Sequence, residues 1–215
     1  MPTFRLTYVQ KAAAALVGLL ISASAGAEPM ANAATIQQVG DSNIAQVTQT
    51  GTGQYASVQQ QGTGNTLVNI VQSTMNGVTG YPNGNHAEVS VTGNGNVGNI
   101  VSQAGAGNVE ATTVSGNQNG FLLVQQGGGN QATQTVTGDQ NTVSTNQNGL
   151  ENQSTIAVGG GGNTITQDQI GNNNSSNLIL QGNGNTITQE QLGSGLSYTL
   201  TQTGNGQTVV VTQHH

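Results

Sequence analysis

Polar and hydrophobic residues alternate in short runs along most of the chain, and glycine interrupts the alternation at regular intervals. From Gly105 to Gly204 every eleventh position is a glycine, ten times in succession. In nearly every unit an asparagine follows the glycine by three positions, and a run rich in Thr, Val, Ile and Gln completes the unit. Because glycine adopts positive φ and asparagine tolerates the left-handed region, the G-x-x-N piece predicts a turn. The remainder has the length and alternation of a β-strand, so we expect about sixteen short strands.

The spacing assigns one glycine to each predicted turn, including three that lie earlier in the chain. These turn glycines are Gly40, Gly51, Gly62, Gly105, Gly116, Gly127, Gly138, Gly149, Gly160, Gly171, Gly182, Gly193 and Gly204.

The repeat that distinguishes the strands is twice as long as this glycine unit. From Gln103 to Gln191 the residue two positions before each glycine is alternately Gln and an aliphatic residue, and Gln202 ends this alternation. Each coil of the chain therefore contains two strand types, and each type stacks on its own kind in the next coil. We predict an all-β fold, a two-sided parallel β-solenoid with strands ~4.8 Å apart and two sheets ~10 Å apart, able to stack into a cross-β fibre.

Period-two alternation identifies the side chains that point inward. It places Ile165 opposite Leu180 and Gln169 opposite Ser176, which gives the thin core an apolar side and a polar side. Buried amides are costly without partners, but in a parallel in-register stack each amide bonds to the identical amides above and below. The alternative is that the amides point outward and hydrate a soluble solenoid. The predicted ladder residues are Gln38, Asn43, Gln49, Gln60, Gln103, Asn108, Asn119, Gln125, Asn130, Asn141, Gln147, Asn152, Asn163, Gln169, Asn174, Asn185 and Gln191.

The first residues of the chain differ from the repeats. Arg5 and Lys11 are the only basic residues, and an apolar run from 12 to 21 follows them before a stretch of small residues. This order is typical of a secretory signal peptide, which we place at 1–33 with cleavage after Ala27 or Ala33. A short membrane-anchoring helix is the alternative. We assign 34–215 to the solenoid, with an irregular loop near 73–86.

The composition excludes several functional classes. The chain has 33 glycines, 5% charged residues and no cysteine. Two basic residues cannot neutralise a run of phosphates, so no nucleic acid is expected as a partner. Disulfide scaffolds and cysteine zinc sites are excluded, and no cofactor or metal is predicted. His86 is the only internal histidine and the carboxylates are scattered, so we expect no enzyme; no later apolar run could span a membrane.

One family resemblance is carried by a specific motif. Residues 38–49 match Q-x-G-x-x-N-x-A-x-x-x-Q, and 49–60 repeat it with Gln54 in the asparagine place. This resembles the curlin repeat of bacterial curli subunits, and the weaker G-x-x-N register covers essentially the whole mature chain. The resemblance implies a secreted subunit of extracellular functional amyloid, exported through the periplasm to cell-surface fibres (fimbriae) that serve adhesion and biofilm matrix. Its implied partners are further copies of itself, a nucleator or sister curli subunit, an outer-membrane secretion channel and a periplasmic chaperone.

Outward-facing residues suggest a second functional class. The pairs Thr164 with Thr166 and Thr186 with Thr188 lie one coil apart and form T-x-T rows. Such rows resemble ice-binding surfaces, so the alternative function is a monomeric secreted β-solenoid that binds ice or acts as an adhesin. Threonine also simply suits exposed strand faces.

Asp168 and Glu190 are separated by one full coil of the sequence and are therefore expected to stack on one outward face. Like charges this close repel, and we hypothesise that they slow premature stacking. The alternative is that they only maintain solubility.

Overall fold

The computed structural model describes residues 3–9, 17–23, 31–74, 80 and 84–215. This part of the chain contains strands and turns without a helix. The strands are β1 (Thr3–Val9), β2 (Val17–Ala23), β3 (Asn32–Val39), β4 (Ile44–Thr50), β5 (Tyr55–Gln61), β6 (Thr66–Ser73), β7 (His86–Thr92), β8 (Val97–Ala106), β9 (Val109–Ser115), β10 (Gly120–Gly128), β11 (Gln131–Thr137), β12 (Thr142–Leu150), β13 (Gln153–Gly159), β14 (Thr164–Ile170), β15 (Ser175–Gln181), β16 (Thr186–Leu192), β17 (Ser197–Thr203) and β18 (Thr208–His214).

The strands form two nine-stranded sheets that share one core. Sheet A has the order β1-β4-β6-β8-β10-β12-β14-β16-β18, and sheet B has the order β17-β15-β13-β11-β9-β7-β5-β3-β2. From β3 onward the chain alternates between the sheets, and neighbours within each sheet are parallel, most of them in the register that pairs each residue with its equivalent one sequence coil later. One odd and one even strand make a coil, so coil 1 is β3–β4 and coil 8 is β17–β18. The predicted all-β, two-sided parallel β-solenoid of about eight coils is confirmed.

Buried and exposed side chains alternate along each strand, and this alternation determines which face of the strand points into the core. In β14, Ile165, Gln167 and Gln169 are buried, whereas Thr164 and Ile170 at the two ends of the strand are exposed. The same pattern of one buried residue in two recurs in most strands of coils 1 to 7. Period-two patterning therefore determines which face of every strand is covered.

The turns require glycine for two reasons, and Gly149 illustrates both. Its φ of +133° is a conformation that side chains rarely allow. A Cβ built on Gly149 would also lie 1.8 Å from the backbone oxygen of Gly171 in the next coil. Glycine stacked on glycine thus lets successive turns approach at strand spacing.

The middle of the core is not the same in every coil. The central inward residue of sheet A is apolar up to Leu123, whereas from Thr145 it is polar through β16. In sheet B the polar central residues are Thr112 and Gln134, and the column becomes apolar again at Ile156. Where the two polar columns meet, Gln134 Nε2 donates to Thr145 Oγ1 at 2.8 Å.

Two irregularities interrupt the regular offset between neighbouring strands early in the chain. One bulge shifts the register of β4 with β6, and another shifts that of β8 with β10. The predicted loop near 73–86 falls largely outside the described residues, which omit 75–79 and 81–83. After it, the stack resumes when the Asn85 N–H donates to Gln54 Oε1 at 2.8 Å and β7 begins at His86.

The two N-terminal strands pair differently from all the others. β1 lies antiparallel to β4, and β2 lies antiparallel to β3, so both cover the edge of coil 1. The predicted signal peptide includes these strands and residues 10–16 and 24–30, which are outside the described part; its cleavage stays a prediction. Across the described residues, no helix is long and apolar enough to cross a membrane.

Candidate functional site

A ladder of glutamines runs through sheet A from the first coil to the last. In each step the Nε2 of one glutamine donates to the Oε1 of the next, at 2.8–2.9 Å. Each interior amide also uses its second N–H, as Gln169 Nε2 does on the backbone oxygen of Gln153 at 2.9 Å. The ladder comprises Gln49, Gln72, Gln103, Gln125, Gln147, Gln169, Gln191 and Gln213.

Asparagine ladders run along both rows of turns, with Gln54 in the asparagine place at the start of coil 2. Asn141 Oδ1 accepts hydrogen bonds from the backbone N–H and the Nδ2 of Asn163, at 3.1 and 2.9 Å. Asn163 Nδ2 then donates to the backbone oxygen of the turn glycine Gly182 at 2.8 Å. One side chain therefore links its own turn to the coils on both sides. The two ladders are Asn43, Asn65, Asn96, Asn119, Asn141, Asn163 and Asn185, and Asn85, Asn108, Asn130, Asn152 and Asn174.

All seventeen glutamines and asparagines that the sequence nominated are buried. The structure divides them among separate ladders: Gln38 and Gln60 lie in sheet B, where Gln38 Nε2 donates to Gln60 Oε1. The other nominated glutamines belong to the sheet A ladder. The outward-pointing alternative therefore does not hold for these side chains.

Sequence reasoning missed some ladder members and one contact. Gln72 was not nominated because the bulge moves it out of the regular spacing from Gln49, and Asn85 was not nominated because the inserted loop breaks the spacing. The N-x-A pair of Asn85 with Ala87 is the signal that could have found it. The predicted partner of Ser176 was Gln169, but its hydroxyl donates to Gln189 Oε1 at 2.6 Å.

Glu110 is a buried carboxyl group that the repeat pattern does not explain. It is 1% exposed, and its neighbours at the same position of the adjacent strands are Ala87 and Ala132. Neither carboxyl oxygen has a hydrogen bond of normal geometry, and weaker contacts with the Thr112 side chain and the Glu88 backbone only partly oppose the effect of burial on the pKa. Burial raises the pKa of Glu110 from 4.5 to about 8, and the negative charge of Glu88 adds to the rise. Sequence reasoning counted Glu110 among scattered charges, although it occupies the alanine place of the N-x-A pattern.

The two ends of the solenoid differ. At coil 1, three buried acceptor atoms have no hydrogen-bond partner: Gln38 Oε1, Asp41 Oδ1 and Gln49 Oε1. At coil 8, the inward residues of both strands are only half-buried because no further coil covers them. The solenoid thus has hydrogen-bond acceptors without donors at coil 1, and a core that no further coil covers at coil 8.

The outer faces carry the rows that the sequence predicted. Asp168 and Glu190 are directly paired on β14 and β16. Exposed threonines align in register over four coils of sheet A, namely Thr142, Thr164, Thr186 and Thr208.

Comparison with known proteins adds no relative to these observations. No family model, no curated protein and no solved structure matches this chain.

Proposed function

We propose that this chain is the structural subunit of an extracellular, curli-like amyloid fibre that forms by end-to-end addition of solenoids. The observation that carries the proposal is the glutamine ladder, which repeats the same amide-to-amide hydrogen bond through eight coils and reaches the open coil 8. A repeating bond of this kind has no natural stopping point, because each new coil presents the group that the next one needs.

The energetics of the open end favour the addition of a similar coil. The exposed edges of β17 and β18 present unpaired backbone groups, which is the template on which strands assemble. The half-buried Leu200 and Val209 pack against the core from one side only. A parallel coil with inward aliphatic and amide residues would pair the backbone and cover these side chains together. Because the two ends differ, such addition does not close and produces an open fibre.

The proposal includes the export steps that the curlin resemblance implies. The precursor would lose its signal peptide, cross the periplasm with a chaperone, leave through an outer-membrane channel and add to fibres begun on a nucleator subunit. Cleavage after Ala27 rather than Ala33 would retain Asn32, whose Oδ1 accepts from the Gln54 N–H at 3.0 Å. The fibre would then contribute to adhesion and to the biofilm matrix.

The direct test uses purified chain beginning at Glu28, incubated in buffer. We expect fibres by electron microscopy, a meridional reflection at ~4.8 Å and binding of amyloid dyes. A chain that stays monomeric at high concentration, even with preformed seeds, contradicts the proposal.

A ladder variant tests the mechanism behind the fibre. We expect replacement of Gln49, Gln147 and Gln169 by alanine to abolish or greatly slow fibre formation, because three rungs of the buried ladder lose their amides. Replacing Thr164, Thr166 and Thr186 on the outer face is the matched control and should leave assembly intact. Normal fibres from the glutamine variant would argue against the ladder mechanism.

The threonine rows support a second candidate, a monomeric solenoid that binds ice. Thr142, Thr164, Thr186 and Thr208 form one exposed row, and Ser144, Thr166 and Thr188 form another beside it. This candidate predicts a monomer that persists through the incubation described above. It also predicts thermal hysteresis when the monomer is cooled with ice.

A further inference from the structure

The three unpartnered acceptors of coil 1 all occupy positions that are satisfied in later coils. Gln60 Oε1 and Gln72 Oε1, one coil beyond Gln38 and Gln49, each accept from the glutamine of the preceding coil. In the turn, Asp139 Oδ1 accepts from the backbone N–H of Asn117 at 2.7 Å. Asp41 occupies the same turn position as Asp139, directly after the turn glycine. Coil 1 therefore lacks the donors that a preceding coil would supply.

Coil 8 carries the matching donors in the matching positions. Asn183 N–H donates to Asn205 Oδ1 at 2.8 Å, so the Asn205 N–H is the next donor in that row. Gln213 Nε2 donates once, to the Ser197 backbone oxygen at 3.2 Å. Gln202 Nε2 contacts the Gln207 side chain and, at 3.4 Å, the Thr203 backbone oxygen, both exposed contacts within its own coil. A primary amide has two N–H groups, so Gln213 has one left for a neighbouring coil, and Gln202 would exchange its long bond to Thr203 for one.

One offset brings all three donors to their acceptors. Gln202 and Gln38, Asn205 and Asp41, and Gln213 and Gln49 are all separated by the same number of positions in the sequence. The same offset places Leu200 on Ile36, Val211 on Val47 and the large Tyr198 on the small Ala34. A parallel junction with this register, in which Gln202 lies on Gln38, would continue both sheets and all the ladders.

The offset also accounts for an irregularity in the sequence. Gln202 ends the alternation of glutamine with aliphatic residues, and within the chain its neighbour at the same position is Leu180. Gln202 therefore has no glutamine at the same position of the adjoining coil with which it could form an amide-to-amide hydrogen bond. In the junction, however, it meets Gln38, the first member of the short sheet B ladder.

The N-terminal strands occupy the edge that this junction would use. β1 and β2 pair with β4 and β3, so they satisfy backbone groups of coil 1. Their antiparallel direction does not continue the amide ladders, and the acceptors on Gln38, Asp41 and Gln49 stay buried without partners. These two strands thus cover the edge without completing it.

We propose that coil 1 is the docking site for coil 8 of a second copy of this chain, in the register that places Gln202 on Gln38, and that β1 and β2 cover this site until the N-terminal segment is removed. This inference rests on the proposed fibre function and adds to it the register of the junction and its control by the N-terminal segment.

Disulfide trapping tests the register, because the natural chain has no cysteine. Gln37 and Thr201 occupy outward positions next to Gln38 and Gln202 and would lie side by side in the junction. Adjacent in-register Cα atoms are ~4.8 Å apart, within disulfide range, whereas a shift to the next outward position exceeds it. We therefore mix a Gln37→Cys chain with a Thr201→Cys chain, both beginning at Glu28, under mild oxidation. The matched control replaces Thr201→Cys with Thr199→Cys.

We expect rapid cross-linking of the 37–201 pair and at least tenfold less for the 37–199 pair. Equal cross-linking of both pairs, or none while fibres with the same cross-β reflection still form, would overturn the register and leave the fibre function standing. A monomer without fibres or cross-links would instead overturn the fibre function, and the junction with it.

A second arm tests the covering strands. The full-length Gln37→Cys chain should cross-link to a shortened Thr201→Cys chain at least tenfold more slowly than the shortened Gln37→Cys chain does, because β2 covers its docking edge. The full-length Thr201→Cys chain should still cross-link to a shortened Gln37→Cys partner, since its coil 8 is open. That control shows that the full-length chain is folded. Equal rates for the two Gln37→Cys chains would refute the covering role.

Discussion

The buried carboxyl group of Glu110 predicts that the solenoid becomes less stable as the pH rises through neutrality. We consider replacement of Glu110 by Gln, which keeps the size and removes the ionisable group, and by Ala, the residue at the same position in the strands on both sides. Of the strands packed against β9, only β7 carries titratable side chains, His86 and Glu88. The effect can therefore be assigned to one site and its immediate neighbour.

The direction and size of the change in stability follow from the pKa of Glu110 in the unfolded and in the folded chain. The pKa of Glu110 is near 4.5 when the chain is unfolded and about 8 when it is folded. Below pH 4.5 both states hold the proton and there is no penalty. Between 4.5 and 8 the folded state alone holds it, so the free energy of unfolding falls by about 1.4 kcal/mol per pH unit. The expected loss is about 3 kcal/mol at pH 7 and reaches its full value above pH 8, where both states are ionised.

The assay is guanidinium unfolding of dilute, shortened chain, followed by circular dichroism from pH 5 to pH 9. Taking the difference between variant and parent at each pH cancels the contributions of other groups. We expect Glu110→Gln and Glu110→Ala to remove the decline, with the alanine variant the more stable because it leaves no unpaired amide. Glu190→Gln is the control, since Glu190 lies on the outer face. If both Glu110 variants keep the parent's pH dependence, the carboxyl is not buried as the structure has it.

The remaining predictions concern the turns and the outer charges. Gly149→Ala should destabilise the chain by about 3 kcal/mol or more, because its Cβ would meet the next turn. Gly184→Ala should cost only about 1 kcal/mol, because Gly184 has a φ of +64° but open space around it; chemical unfolding compares the two, and equal losses would contradict the stacking argument. Asp168→Asn combined with Glu190→Gln should shorten the assembly lag, measured by dye fluorescence, and an unchanged lag would indicate that these charges serve only solubility.

Repeat spacing alone was sufficient to predict the fold, and the reason is physical. Each turn needs a glycine for both its φ and its contact with the next turn, as at Gly149, so the turn positions are visible in the sequence. The alternation of two strand types then separates the two sheets without any long-range information. The features that were missed lack such a local marker. The bulges that displace Gln72 depend on how neighbouring strands pack, and the antiparallel pairing of β1 and β2 depends on an edge that exists only after coil 1 has folded.

Glu110 shows a different limit of sequence reasoning. Its place in the N-x-A pattern predicts an inward side chain, whereas its chemistry predicts an outward one. The backbone register prevails in the structure, because turning Glu110 outward would also turn the inward residues Thr112 and Val114 of β9 to the outer face. A charged residue in a strongly periodic strand is therefore better placed by its register than by its polarity.

The uneven core also helps to fix the register between coils, which uniform ladders alone would not determine. If every coil were identical, a strand could pair one coil too early or too late without losing any asparagine or glutamine bond. The polar central residues oppose this, because an aliphatic residue in place of Thr145 would remove the shortest hydrogen bond of the buried Gln134 amide. Uniform ladders thus supply the bonds that the coils share, and the polar central residues distinguish coils 4 and 5 from their neighbours. At the proposed junction the ladders allow a second copy to dock, and the central residues Leu200 and Val211 would lie on Ile36 and Val47, so that aliphatic residues meet aliphatic residues.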